Sequence, residues 1–180
     1  MSPLFTLQRA AAAVLAVSLA LVLQVSVFPH WAVQGVGPDL VLLVVVAAAL
    51  AHGSELGLVL GFGSGLLLDL APPADHLAGR WALALMVVGY VAGRLNAGQR
   101  SEGRSAPRFP QLIGVAAASS FVGTSVFALT GLLLRDPAVG VGELLQVSSI
   151  ALVWDVVLAA AVVPLVLGLF TRVEPDRVLA

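Results

Sequence analysis

The chain has no cysteine and no lysine among its 180 residues. The first absence excludes disulfides, thiolate metal sites and a cysteine nucleophile. The second leaves arginine as the source of all nine basic side chains. Charge of either sign is scarce at 11% of residues, where a soluble domain carries about a quarter. Aromatic residues make up only 6%, a thin supply for lining a ligand pocket. In their place stand 59% hydrophobic residues and a mean hydropathy of +1.04. Such a chain is an integral membrane protein. The net charge of −1 carries little information, because the placement of charge matters more than its sum. No nucleic-acid partner is expected.

Six apolar segments follow one another, roughly 10–28, 39–52, 55–70, 81–95, 111–134 and 144–170. A helix rises 1.5 Å per residue, so about 20 residues cross a bilayer. Segments one, five and six meet that length. Segments two, three and four are shorter, and segments two and three are joined only by Gly53 and Ser54. They read either as two short spans or as a re-entrant hairpin shielded by the others. The first segment is followed by Phe28-Pro29-His30-Trp31, with no small-residue cleavage site, so it is expected to remain as a span rather than leave as a signal peptide. The expected fold is a single-domain, all-α bundle of six transmembrane helices over residues 1–180.

Arginine placement sets the orientation. With the N-terminus inside, the inner segments hold Arg9, Arg94, Arg100, Arg104, Arg108, Arg172 and Arg177, and the outer ones only Arg80 and Arg135. Both termini are therefore expected in the cytoplasm. Residues 96–110 form the one polar stretch, rich in Gly, Ser and Pro. With Arg94 before it and Arg100, Arg104 and Arg108 within it, it reads as a basic cytoplasmic loop facing anionic lipid or a cytoplasmic partner.

Segment three carries the most informative pattern. Gly53, Gly57, Gly61 and Gly65 recur every fourth residue, and Asp69 takes the next step. That spacing lays all five on one stripe of a helix. Such a stripe lets another helix approach backbone to backbone. The approaching helix belongs either to this bundle or to another protein. A second copy, Gly89 and Gly93 in segment four, is a candidate internal mate. The stripe is expected to be a seam at which partners dock.

Three carboxylates lie in or beside the apolar segments. Asp69 is expected to cap the following loop or, as the leading reading, to pair with Arg80. Asp155 stands near the middle of segment six, where a charge costs a few kcal/mol unless it is hydrogen-bonded or neutralised. It should face the bundle interior and find partners among Ser119, Ser120, Thr124 and Ser125 of segment five. Asp39 opens segment two after Pro38, where the helix dipole favours a negative charge, and Glu143 opens segment six in the same way.

Catalytic motifs fail when tested. His52-Gly-Ser-Glu55 is not the metalloprotease helix motif. Gly63-Ser64-Gly65 has Phe62 where a membrane serine protease needs glycine. His30, His52 and His76 all sit at segment ends, away from Ser64. No catalytic residue, cofactor or metal site is expected.

The stretch from Pro38 to Arg94 resembles the MreD family of bacterial cell-elongation proteins. The matching runs are P-D-L-V-L-L-V at 38–44, the glycine stripe closing in G-S-G-L-L-L-D-L at 63–70, and G-R-W-A-L-A-L-M-V-V-G-Y-V-A-G-R at 79–94. The resemblance implies a non-enzymatic scaffold of the inner membrane. Its partners would be an MreC-like protein and, within the same peptidoglycan-synthesis complex, RodA, a class B penicillin-binding protein and MreB. It also implies a fold similar to the substrate-binding S-components of energy-coupling-factor vitamin transporters. A transporter subunit is thus the alternative function, with Trp31, His30, Asp75, His76 and Trp81 as its outer lining. A third class, an ion or proton carrier using Asp69 and Asp155, lacks paired intramembrane charges.

Overall fold

The computed structural model of the protein describes residues 3–72, 77–101, 108–134 and 141–172. Six α-helices account for most of them: α1 Pro3–Ser26, α2 Leu40–His52, α3 Ser54–Leu70, α4 Arg80–Ser101, α5 Phe109–Leu133 and α6 Val141–Arg172. A 3-10 turn at Phe28–Trp31 follows α1. Among the described residues, three helical stretches are long and apolar enough to cross a membrane by themselves, Arg80–Gly98, Phe109–Leu133 and Leu144–Phe170.

The shortest helix is the centre of the bundle. Every residue of α2 from Leu40 to Leu50 is buried, and α2 touches α1, α3, α4, α5 and α6. A helix that is apolar all round belongs in an interior, which explains why α2 has no polar stripe. Both of its ends are fixed. Asp39 caps the start, its side chain accepting from Leu42 N at 2.9 Å. Gly53 stops it with φ +97° and ψ −178°, a backbone region essentially confined to glycine. The chain then turns straight into α3, and Gly57 N donates to Gly53 O at 3.1 Å. Gly53 is therefore the hinge of a helical hairpin and not the first rung of the stripe, as the sequence reading has it. A Cβ there would meet nothing within 4 Å.

The other glycines do form a seam, and α4 fills it. A Cβ at Gly61 would stand 2.1 Å from Leu85 O, and one at Gly65 would stand 2.3 Å from Trp81 O. Gly57 and Gly89 face each other across the same line: a Cβ on Gly57 meets Gly89 O, and a Cβ on Gly89 meets Gly57 O. Gly93 closes the row against the Ser54 backbone. Two antiparallel backbones thus touch over the whole length of α3. The expectation of a partner docking into the Gly57, Gly61 and Gly65 edge is corrected: no room remains, because Gly89 and the backbone of Leu85 and Trp81 in α4 fill it.

Helix α4 runs further than the apolar pattern suggests. The stretch from Asn96 to Ser101 is helical, so the polar loop of the sequence reading does not begin at residue 96, and residues 102–107 lie outside the described residues. The cause is Asn96, which is buried and donates from Nδ2 to Leu50 O at 2.5 Å. That carbonyl lies in the last turn of α2, where no intrahelical donor remains. Arg108 then begins α5, its N–H donating to Gln111 Oε1 at 2.8 Å with its side chain exposed. Arg94 is exposed on α4, and Arg104 lies outside the described residues.

At the same end, His52 packs edge-on against Phe170, ring centroids 5.2 Å apart. The outward faces carry large apolar side chains: Val14, Leu15 and Leu19 of α1, Val59, Phe62 and Leu66 of α3, Phe121 and Leu129 of α5, and Val153, Val157 and Leu165 of α6 are exposed. Faces of this kind suit hydrocarbon rather than water.

Candidate functional site

Most of the buried polar groups gather at the opposite end of the bundle, where α2 and α4 begin and α3 ends. Asp155 is 1% exposed. Its Oδ1 accepts from Asp39 N at 2.8 Å and its Oδ2 from the Ser120 hydroxyl at 2.6 Å. It therefore faces inward, as its sequence position demands, and Ser120 is one of the four partners expected. The second partner, the backbone N–H of Asp39, is not visible in the sequence. One carboxylate thus ties α6 to α5 and to the first residue before α2. Gln24 of α1 joins the group, its Oε1 accepting from Val41 N at 3.0 Å, one of the N–H groups that a helix start leaves unsatisfied.

Asp69 does its work across the connection between α3 and α4. Its Oδ2 accepts from Gly79 N at 2.8 Å and Ala82 N at 3.1 Å, and its Oδ1 from Trp81 N at 3.0 Å. These amides form the N-terminus of α4, so Asp69 caps a helix that it does not belong to. The capping alternative holds. The side chain of Arg80 goes elsewhere than the leading reading placed it: its Nη2 donates to Phe127 O at 3.0 Å, and the guanidinium sits 4.0 Å above the Phe127 ring. Gly131 makes room for it, since a Cβ there would meet the guanidinium. Trp81 stacks on the same ring, with centroids 4.6 Å apart.

We expect Asp69→Ala to lower stability by about 2 kcal/mol, because three amides at a helix start lose their acceptor. Asp69→Asn keeps one oxygen and should lose about half of that. Thermal unfolding of the purified variants in detergent checks both; equal melting temperatures for parent and Asp69→Ala would remove Asp69 from its capping role.

Above this polar floor lies a cavity of about 360 Å³. Its origin is the mismatch in helix length. Helix α2 starts only at Leu40, whereas α5 continues from Ser120 to Leu133 and α6 begins at Val141, well before Asp155. The two long helices rise beyond the short one by about 20 Å at 1.5 Å per residue. Asp39, Asp155, Gln24, Arg80, Trp81, Phe127 and Leu132 are among the lining residues. Of the outer residues named from sequence, Trp81 lines the cavity. Trp31 and His30 are exposed and do not, and Asp75 and His76 lie outside the described residues. Asp39, Phe127 and Gln24 were not anticipated as lining. Ser64 is buried and donates to Gly61 O at 3.3 Å, within its own helix. Among the described residues no group of three His, Cys, Asp or Glu could hold a metal ion.

Taken together, the bundle defines a class: an all-helical membrane protein, apolar on its outside, tied within by a glycine seam and by carboxylates on helix ends. The family model for the rod shape-determining protein MreD matches residues 7–173, and the chain belongs to that family. Its role is thus in bacterial rod-shape determination, in the membrane. No curated protein and no solved structure matches the chain.

Proposed function

We propose that the protein is a non-enzymatic scaffold of the cell-elongation complex in the bacterial inner membrane. It crosses six times with both termini in the cytoplasm, holding an MreC-like protein and, through the same assembly, RodA, a class B penicillin-binding protein and MreB. The supporting observation is the division of the surface. The glycine seam is used up inside the chain, while exposed Leu, Val and Phe line the outsides of α1, α3, α5 and α6. Partner helices therefore dock on these outward faces by dispersion and close packing. The seam's task is to hold α3 rigid behind such a face. The exposed arginines at 94 and 108 stand at the cytoplasmic end, against anionic lipid. A fold like that of S-components, with the cavity at the outer end, belongs to the same proposal. That cavity is the one feature favouring a transporter subunit instead.

Because the chain has no cysteine, a single-cysteine scan tests the scaffold reading. Variants at Leu19, Phe62, Phe121 and Val157 are co-expressed with an MreC-like protein carrying one cysteine in its span. Cross-links are expected from one contiguous outward face and not from the buried Leu85 or Ala92. Failure of the MreC-like protein to co-purify with the unmodified chain would sink the reading.

A further inference from the structure

The cavity floor holds an acceptor that the bundle does not satisfy. Asp39 is 8% exposed, and its Oδ2 is buried without a hydrogen bond of ordinary geometry, with the Gln24 side chain beside the carboxyl. Capping of α2 uses only Oδ1, and asparagine or serine caps a helix equally well without bringing a second carboxylate oxygen. Asp155 stands next to it, joined through the Asp39 N–H, and a carboxylate that accepts one bond at each oxygen still has lone pairs to offer. Two acidic groups thus share one floor, and a buried acceptor left alone is costly. Among the described lining residues the cation is Arg80, and its guanidinium is directed to Phe127. The walls above are largely apolar and aromatic, with Leu42, Trp81, Phe127, Ala128 and Leu132.

We propose that this cavity binds a primary ammonium group carried on a compact apolar body. The ammonium's N–H donors meet Asp39 Oδ2 and the remaining lone pairs of Asp155, and the body lies against Trp81, Phe127 and Ala128. The two carboxyl groups disfavour an anion at the floor, and the one lining cation among the described residues is turned toward the Phe127 wall. A quaternary ammonium has no hydrogen to donate. Water alone satisfies the carboxylates but finds few partners higher up, where about 360 Å³ would need to be filled; buried water needs two to four polar contacts each. The volume falls in the range of small-molecule sites, about 300–1,000 Å³. A free amine and the headgroup of an aminophospholipid present the same ammonium. The site is independent of the scaffold reading and adds a ligand to it.

The test uses the full chain purified in detergent. Binding of phenethylamine, 2-phenylethanol and phenylacetate is measured by calorimetry and thermal shift. Phenethylamine is expected to bind saturably at one site, the alcohol at least about tenfold more weakly, and the acid not at all. Asp39→Asn keeps the cap and should weaken amine binding by about tenfold or more. Ala128→Trp narrows the cavity while keeping both carboxylates in the sequence and should abolish binding, which keeps the test decisive if Asp39→Asn fails to fold. Equal affinity for amine and alcohol, or unchanged amine binding in either folded variant, would overturn the proposal. Repeating the titration in nanodiscs separates the sources: phenethylamine displaced by phosphatidylethanolamine but not by phosphatidylglycerol identifies a lipid headgroup, and equal binding in both identifies a free amine.

Discussion

Asp155→Leu is expected to melt about 10–15 °C below the parent protein, or to fail to accumulate folded. The change removes the carboxylate that two buried donors share, the Asp39 N–H and the Ser120 hydroxyl. Each such orphan costs about 1–3 kcal/mol, and for a chain of this size about 1 kcal/mol moves the melting temperature by roughly 2–4 °C. Leucine has the same branching as aspartate but is bulkier, so crowding at this 1% exposed position adds to the loss. Replacing a buried polar cluster as a whole by apolar residues is often tolerated; removing one member is not, because its partners stay behind. Asp155→Asn separates these effects. The asparagine oxygen still accepts from Asp39 N, and its amide can donate to the Ser120 hydroxyl, so the loss should stay within about 1 kcal/mol. Asp69→Asn should also cost less than Asp155→Leu. Thermal unfolding in detergent, followed by circular dichroism, ranks the three. A parent-like melting temperature for Asp155→Leu would mean that the α2, α5 and α6 junction is held by packing alone.

The helices were legible because hydrophobic runs and four-residue glycine spacing are local properties, read one segment at a time. The same locality explains what was missed. Asp39 and Asp155 each have a complete explanation when read alone, one at a helix start and the other within an apolar helix. Their meeting depends on α2 being short and central, and nothing within either segment encodes it. Sequence proximity and opposite charge point Arg80 to Asp69. Opposite charge decided less than donor geometry: the amides at the start of α4 converge on one carboxylate, while the guanidinium finds an aromatic face and a carbonyl on α5. A signal for that second contact was present in Phe127 and Gly131, four residues apart on one face of α5, a ring followed by a gap. The extension of α4 through Asn96 was hidden because glycine and polar residues read as loop, whereas the amide has a tertiary acceptor waiting at the end of α2. The cavity was the least legible feature, since it arises from unequal helix lengths rather than from any motif.

Gly61→Ala is the second change expected to have a large effect, and it adds only a methyl group. An added Cβ would lie 2.1 Å from Leu85 O and 2.6 Å from Leu85 C. Both atoms are backbone, so no side-chain rotation relieves the clash, and α3 and α4 must separate. Separation loosens Gly57 from Gly89 and Gly65 from Trp81 as well, because all share one straight contact. Overpacking of this kind costs about 1–3 kcal/mol and occasionally more; with rigid backbone on both sides, about 3 kcal/mol or more is expected. Gly63→Ala is the matched control. It makes the same chemical change in the same helix, but Gly63 is exposed and a Cβ there meets nothing within 4 Å, so the better helix propensity of alanine should leave stability unchanged or raise it by up to about 1 kcal/mol. Both proteins are purified alone, with no partner present, and their melting temperatures compared. We predict that Gly61→Ala melts about 6–12 °C below Gly63→Ala, at roughly 2–4 °C per kcal/mol. Equal melting temperatures, with the loss appearing only when an MreC-like partner is added, would show that the glycine edge awaits another protein and that α4 does not fill it.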